Sequence, residues 1–181
     1  LFFGVCSLGF LIINNFFLKL IKDDKYFILN SPIVGVNSIL LLLTPLAYLE
    51  LLDFTVFRFF GLALIVILFS TLFITVKHKK YFFFNKSNLK KLNFSQFLVI
   101  ILILLFFLIS ISPVTHADSL AYHMLGAVNF LLNGDLLNKI LPVETKLVGP
   151  GELIIALGLS LGSEQFGGIV QFSWLFTIFY C

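Results

Sequence analysis

The sequence predicts an all-α fold: a polytopic transmembrane helical protein with an extracytoplasmic loop carrying short interfacial helices. Three observations predict it. The chain is 60% hydrophobic, only 12% charged, and has a mean hydropathy of +1.09. A water-soluble domain of this length needs more polar surface. Apolar runs recur at the length a helix needs to cross ~30 Å of hydrocarbon, about 20 residues. Apart from Arg58, the charges lie between those runs rather than inside them.

Four runs qualify as spans: about 1–18, 33–49, 54–76 and 94–112. Each is apolar on all sides, so length and the need to satisfy backbone groups internally carry the assignment. Pro45 interrupts the second span and removes one backbone hydrogen bond, which lipid-embedded helices tolerate. Asn37, Ser38 and Thr44 suit a polar seam against a neighbouring helix. Arg58, one turn into the third span, can snorkel toward Asp53 or Glu50 or meet an anionic headgroup.

The loops alternate in charge. Lys19, Lys22 and Lys25 follow span one; Lys77, Lys79, Lys80, Lys86, Lys90 and Lys91 separate spans three and four. Two spans lie between these clusters, so both face one side, and the positive-inside rule makes that side cytoplasmic. Residues 113–165 then form an extracytoplasmic loop, and 166–181 begin a fifth span. The chain starts at Leu1 and stops inside an apolar run at Cys181, as a piece of a longer protein would. A net charge of +3 implies no polyanion, so nucleic acid is not an expected partner; the lipid bilayer is. Cys6 and Cys181 lie in apolar runs, show no metal or redox spacing, and read as small apolar fillers.

The loop holds the chemistry. His116, His123 and four of the nine acids fall in residues 113–152. Ser112-Pro113 ends span four. Residues 119–132 read as a helix capped by Asp118 and closed by Asn133-Gly134. Its apolar face carries Leu120, Met124, Val128, Leu131 and Leu132; Tyr122, His123, Gly126 and Asn129 lie to the other side, a split that suits a membrane interface. Asp118 has two readings: a helix cap, stabilising by roughly 1 kcal/mol, or a partly desolvated carboxylate acting as general base toward a hydroxyl. His116, Tyr122 and His123 are close enough in sequence to touch a common ligand. No cofactor signature is present. A divalent ion on Asp118, His116 and His123 stays open, although the histidine spacing matches no recognised metal pattern.

Gly149-Pro150-Gly151 marks a sharp turn, and 152–161 is a second short helix, too short to span. Gly162-Ser163-Glu164-Gln165 breaks the chain again. One continuous span from 153 to about 175 is the competing reading, but it would bury Glu164 at bilayer depth, which is costly.

An apolar span, then Pro113-x-x-x-x-Asp118-Ser119-Leu120-x-Tyr122-His123, an amphipathic helix, an Asn-Gly turn, a Pro/Gly turn and a helix reading Glu152-Leu153-x-x-Ala156-Leu157-Gly158-Leu159-x-Leu161-Gly162: this series over about 94–181 resembles the first large outer loop of GT-C membrane glycosyltransferases, of the protein mannosyltransferase and aminoarabinose transferase type. The chain differs in having Ser119 where many members carry a second acid, and in placing the loop after a fourth span. The resemblance implies a multi-pass protein of the bacterial cell membrane. It further implies sugar transfer from a polyprenyl-phosphate-linked donor to an acceptor hydroxyl on the extracytoplasmic face. Asp118 would be the base, with His116, Tyr122 and His123 binding substrate. The alternative class is a non-enzymatic multispanning protein, a transporter subunit or assembly factor. On the enzymatic reading, Asp118→Asn in the full-length protein abolishes sugar transfer and leaves membrane insertion intact; undiminished transfer removes Asp118 from catalysis.

Overall fold

The computed structural model describes residues 1–17, 25–78, 93–115, 123–133 and 149–180. Within them the fold is all-α, with helices α1 (Phe2–Ile12), α2 (Lys25–Tyr48), α3 (Phe54–His78), α4 (Phe94–Ile111), α5 (Leu125–Asn133), α6 (Pro150–Ser160) and α7 (Phe166–Tyr180). Three are long and apolar enough to cross a membrane: α2 over Asn30–Tyr48, α3 over Phe54–Ile74, and α4.

Over the expected first span, the described residues are helical from Phe2 to Phe17, with an α-helical part of 11 residues. The chain then passes into a π-helical turn, Ile13–Phe17, where Asn14 and Asn15 bring two polar amides into the run. Inside α2 sit Pro32 and Pro45. Two polar side chains of the expected seam bond back to this helix. Asn37 donates to the Ile33 carbonyl at 2.9 Å and Ser38 to that of Val34 at 2.7 Å, so each returns its donor to its own helix.

The turn between α2 and α3 is closed by backbone bonds. Leu51 N–H reaches the Leu46 carbonyl at 2.9 Å and Glu50 N–H that of Ala47 at 3.1 Å. That pair is a Schellman ending, and Glu50 takes the left-handed position at φ 55°. Leu52 is fully buried and pins the turn. Asp53 caps α3, its Oδ1 accepting Val56 N–H at 2.7 Å. Arg58 is exposed one turn further on. A second Schellman ending closes α6: Ser163 N–H bonds Gly158 O and Gly162 N–H bonds Leu159 O, both at 2.9 Å. Gly162 supplies φ 78°. The chain therefore breaks between α6 and α7, and Glu164 sits half-buried in that break.

Packing is organised around two short helices. α1 lies between α2 and α3 and touches both, whereas α2 and α3, though consecutive, do not pack on each other among the described residues. α6 contacts α2, α3, α5 and α7. The core joins Val5, Val36 and Leu43 to Phe57, Leu64, Phe130, Leu153, Leu157 and Phe166. α4 packs on α7 alone among the described helices, and none of its residues is buried. An apolar helix so uncovered has no stable place in water.

Glycine sets the helix separations. A Cβ at Gly9 would collide with the Ser31 carbonyl, one at Gly35 with that of Val5, and one at Gly4 with that of Leu64. The pairings Val5–Gly35 and Gly9–Ser31 make α1 and α2 antiparallel. On α5 the inward positions are not those of the apolar stripe alone, and Leu131 of that stripe packs against the core. Gly126, Ala127, Asn129 and Phe130 are buried, while Val128 and Leu132 are exposed. Small residues at 126–127 let α5 approach α6 and α3 closely, and Asn129 finds an internal partner, accepting from Asn133 Nδ2 at 2.6 Å. Val128 and Leu132 therefore turn outward.

Gly9→Ala overpacks the α1–α2 contact and is expected to cost about 1–3 kcal/mol. Gly151→Ala, with nothing within 4 Å of the new carbon, is the matched control. Unfolding of both variants in detergent checks the difference; equal stability would show the contact to be slack.

Candidate functional site

A cleft of about 870 Å³ opens where α4 ends. The extended exit Ser112–Thr115 forms one rim, and the first turns of α6 and α7 form the other. Its polar end holds His123, Glu152, Glu164 and Gln165. Its apolar end runs down the groove between α4 and α7, past Phe106, Phe172 and Leu175. Phe107 and Phe172 rings lie 5.3 Å apart across that pair of helices. Gly168 permits the approach, since a Cβ there would lie 2.6 Å from the Ser110 carbonyl oxygen.

Glu152 is the best-fixed polar group of the cleft. The local sequence dictates its place. Gly149 is the N-cap of α6, Pro150 occupies the first turn, and Glu152 is the third helical residue. In that position a glutamate reaches back to the N-cap amide, and Glu152 Oε2 accepts Gly149 N–H at 2.7 Å. Its other oxygen, Oε1, lies 2.6 Å from His123 Nδ1. The pair is asymmetric: the Glu152 side chain is 11% exposed and that of His123 58%. The carboxylate belongs to the protein and the ring to the cleft. Past the other end of α6, Gln165 Nε2 donates to Glu164 Oε1 at 2.9 Å.

The described lining contains two carboxylates and one imidazole but no lysine or arginine. Such a set suits a head rich in hydroxyl groups, which can donate to carboxylates and exchange hydrogen bonds with the Gln165 and Gln171 amides. Trp174 adds an aromatic surface to the lining. Among the described residues, no three metal-ligating side chains come together.

Of the residues singled out from sequence, His123 lies on the cleft wall. His116, Asp118 and Tyr122 lie outside the described residues. Glu152, read from sequence only as the start of a helix, turns out to be the partner of His123, 29 residues away. The Gly-Pro-Gly-Glu pattern announces a capping glutamate, but nothing local announces its second bond.

The architecture defines an all-helical protein with three membrane-length apolar helices and a cleft at the end of one of them. Residues 70–181 match the DUF1420 N-terminal domain, and the chain belongs to that family. The match takes in every described cleft residue except Leu40. No curated protein and no solved structure matches the chain.

Glu152→Ala strips the Gly149 amide and the His123 ring of their partner. A loss of about 1–2 kcal/mol is expected, with faster amide hydrogen exchange at Gly149 and in the first turn of α6. Unchanged protection there would mean that the carboxylate does not hold the turn.

Proposed function

We propose that this chain is part of a multispanning membrane protein that holds an amphiphile in the cleft. The hydroxyl-bearing head lies at the Glu152–His123 end and the hydrocarbon chain lies between α4 and α7. The observation that carries this reading is the continuity of one cleft from a buried, hydrogen-bonded carboxylate to an aromatic groove on an uncovered apolar helix. A soluble metabolite has no use for the second half; a membrane lipid with a polar head has use for both.

The cleft faces the extracytoplasmic side on this reading. In sequence, the lysine-rich segment 77–91 adjoins the Asn93 end of α4, and the positive-inside rule holds that end in the cytoplasm. The 18 residues of α4 carry the chain about 27 Å to the cleft. The outward Val128 and Leu132 of α5 then meet the membrane surface.

The chemistry proposed is transfer of a sugar from a polyprenyl-phosphate-linked donor to an acceptor hydroxyl, as the sequence resemblance implies. Asp118 remains a proposed base in that scheme, and Glu152 and His123 join it as groups at the head of the cleft. A second reading is a non-enzymatic membrane protein that binds the same amphiphile. It is favoured by the fact that the described cleft residues amount to a binding surface with one hydrogen-bonded histidine–carboxylate pair.

The test is reconstitution of the full-length protein in vesicles with a radiolabelled polyprenyl-phosphate sugar and a photo-crosslinkable version of the same lipid. Crosslinks on α4 and α7 support amphiphile binding, and crosslinks elsewhere overturn it. Label leaving the lipid, reduced about 10²-fold or more by Glu152→Gln, supports the transferase. Crosslinking without turnover supports the second reading.

A further inference from the structure

We propose that Nε2 of His123 accepts the proton of a hydroxyl group bound in the cleft, with Glu152 orienting the ring through Nδ1. The inference rests on the reading that a hydroxyl-bearing amphiphile occupies the cleft, and it puts Nε2 of His123 in the role of base that the sequence resemblance alone gives to Asp118.

The hydrogen-bond inventory carries it. An ionised carboxylate only accepts. Glu152 Oε2 already takes the Gly149 amide, and Oε1 lies 2.6 Å from Nδ1. The proton between them therefore sits on Nδ1, and in the neutral ring Nε2 keeps its lone pair. The ring is more than half exposed while its partner is buried, and it lines the cleft. This is the order of parts that activates a hydroxyl elsewhere: an acceptor nitrogen reachable by ligand, and a carboxylate behind it that fixes the tautomer. Helix capping accounts for Oε2 of Glu152 but not for Oε1. Glu164 is a poorer candidate, since Gln165 already donates to its Oε1.

The step balances without a further reagent. The acceptor O–H bond breaks and an Nε2–H bond forms. The electron pair left on oxygen makes the new bond to the sugar's anomeric carbon. The old bond from that carbon to the lipid phosphate breaks, and the phosphate leaves with its electron pair. The imidazolium, stabilised by Glu152, returns its proton to the departing phosphate or to water. His123 and Glu152 end as they began.

The test uses the full-length protein in lipid nanodiscs with 15N-labelled histidine, the His123→Asn variant identifying the His123 signals. Long-range 15N–1H spectra are expected to show the Nδ1–H tautomer at His123. Glu152→Gln shifts it to the Nε2–H tautomer. Titration with an alkyl glycoside below its micelle-forming concentration is expected to move the Nε2 signal, and an alkyl sulfonate lacking hydroxyls leaves it in place. An Nε2–H tautomer in the wild-type protein overturns the inference, as does an Nε2 signal indifferent to the glycoside. In vesicles, His123→Ala is expected to lower kcat for sugar transfer about 10²-fold with KM little changed. A wild-type protein that transfers no sugar overturns the transferase reading separately, because the tautomer and the glycoside response still decide the role of the ring.

Discussion

The structure depends on backbones touching. Among apolar helices the hydrophobic effect gives little preference for one neighbour over another, since lipid is as apolar as leucine. Close approach has to supply the specificity. Gly4 and Gly9 of α1 lie against the carbonyls of Leu64 and Ser31, and Gly35 of α2 lies against that of Val5. At each of these three places a methyl group would meet backbone and is already too much. α1 thereby packs against both α2 and α3, which do not touch each other among the described residues.

Polar side chains obey a related constraint. Ser70 bonds Val66 O, Ser110 bonds Phe107 O, Ser112 bonds Leu108 O and Ser173 bonds Val170 O. Each hydroxyl satisfies itself within one turn of its own helix, so it needs no partner across an interface. Against that background the His123–Glu152 bond stands out. It joins two elements far apart in sequence, and it links the first turn of α6 to the residue just ahead of α5. A helix start, a loop exit and a cleft wall are thus fixed by one carboxylate.

Much of this was legible in the residues. Long apolar runs gave the helices α2, α3 and α4, because composition over about 20 residues is a strong signal. Gly162 and the polar Ser163-Glu164-Gln165 marked the α6–α7 break, because a left-handed residue and a carboxylate both resist continuation as a span. What could not be read is tertiary. The length of Leu1–Leu18 suggested a span, and only the structure reveals the π turn at Asn14-Asn15. The amphipathic split of α5 suggested an interfacial helix; which of its residues would be buried, Gly126, Ala127, Asn129 and Phe130, was not in the pattern. Glu152 advertised itself as a capping residue; its bond to His123 depends on how α5 and α6 meet, which no local pattern encodes.

One feature of the packing has a mechanical meaning. Of the described helices, α4 leans on α7 and on nothing else, yet its last turns form a wall of the cleft. The core around α1 and α6 does not include it. Swinging α4 about its contact at Gly168 would widen the cleft sideways without breaking a core contact. On the proposed function, that side would be the way in for a long-chain molecule, its tail never leaving oil.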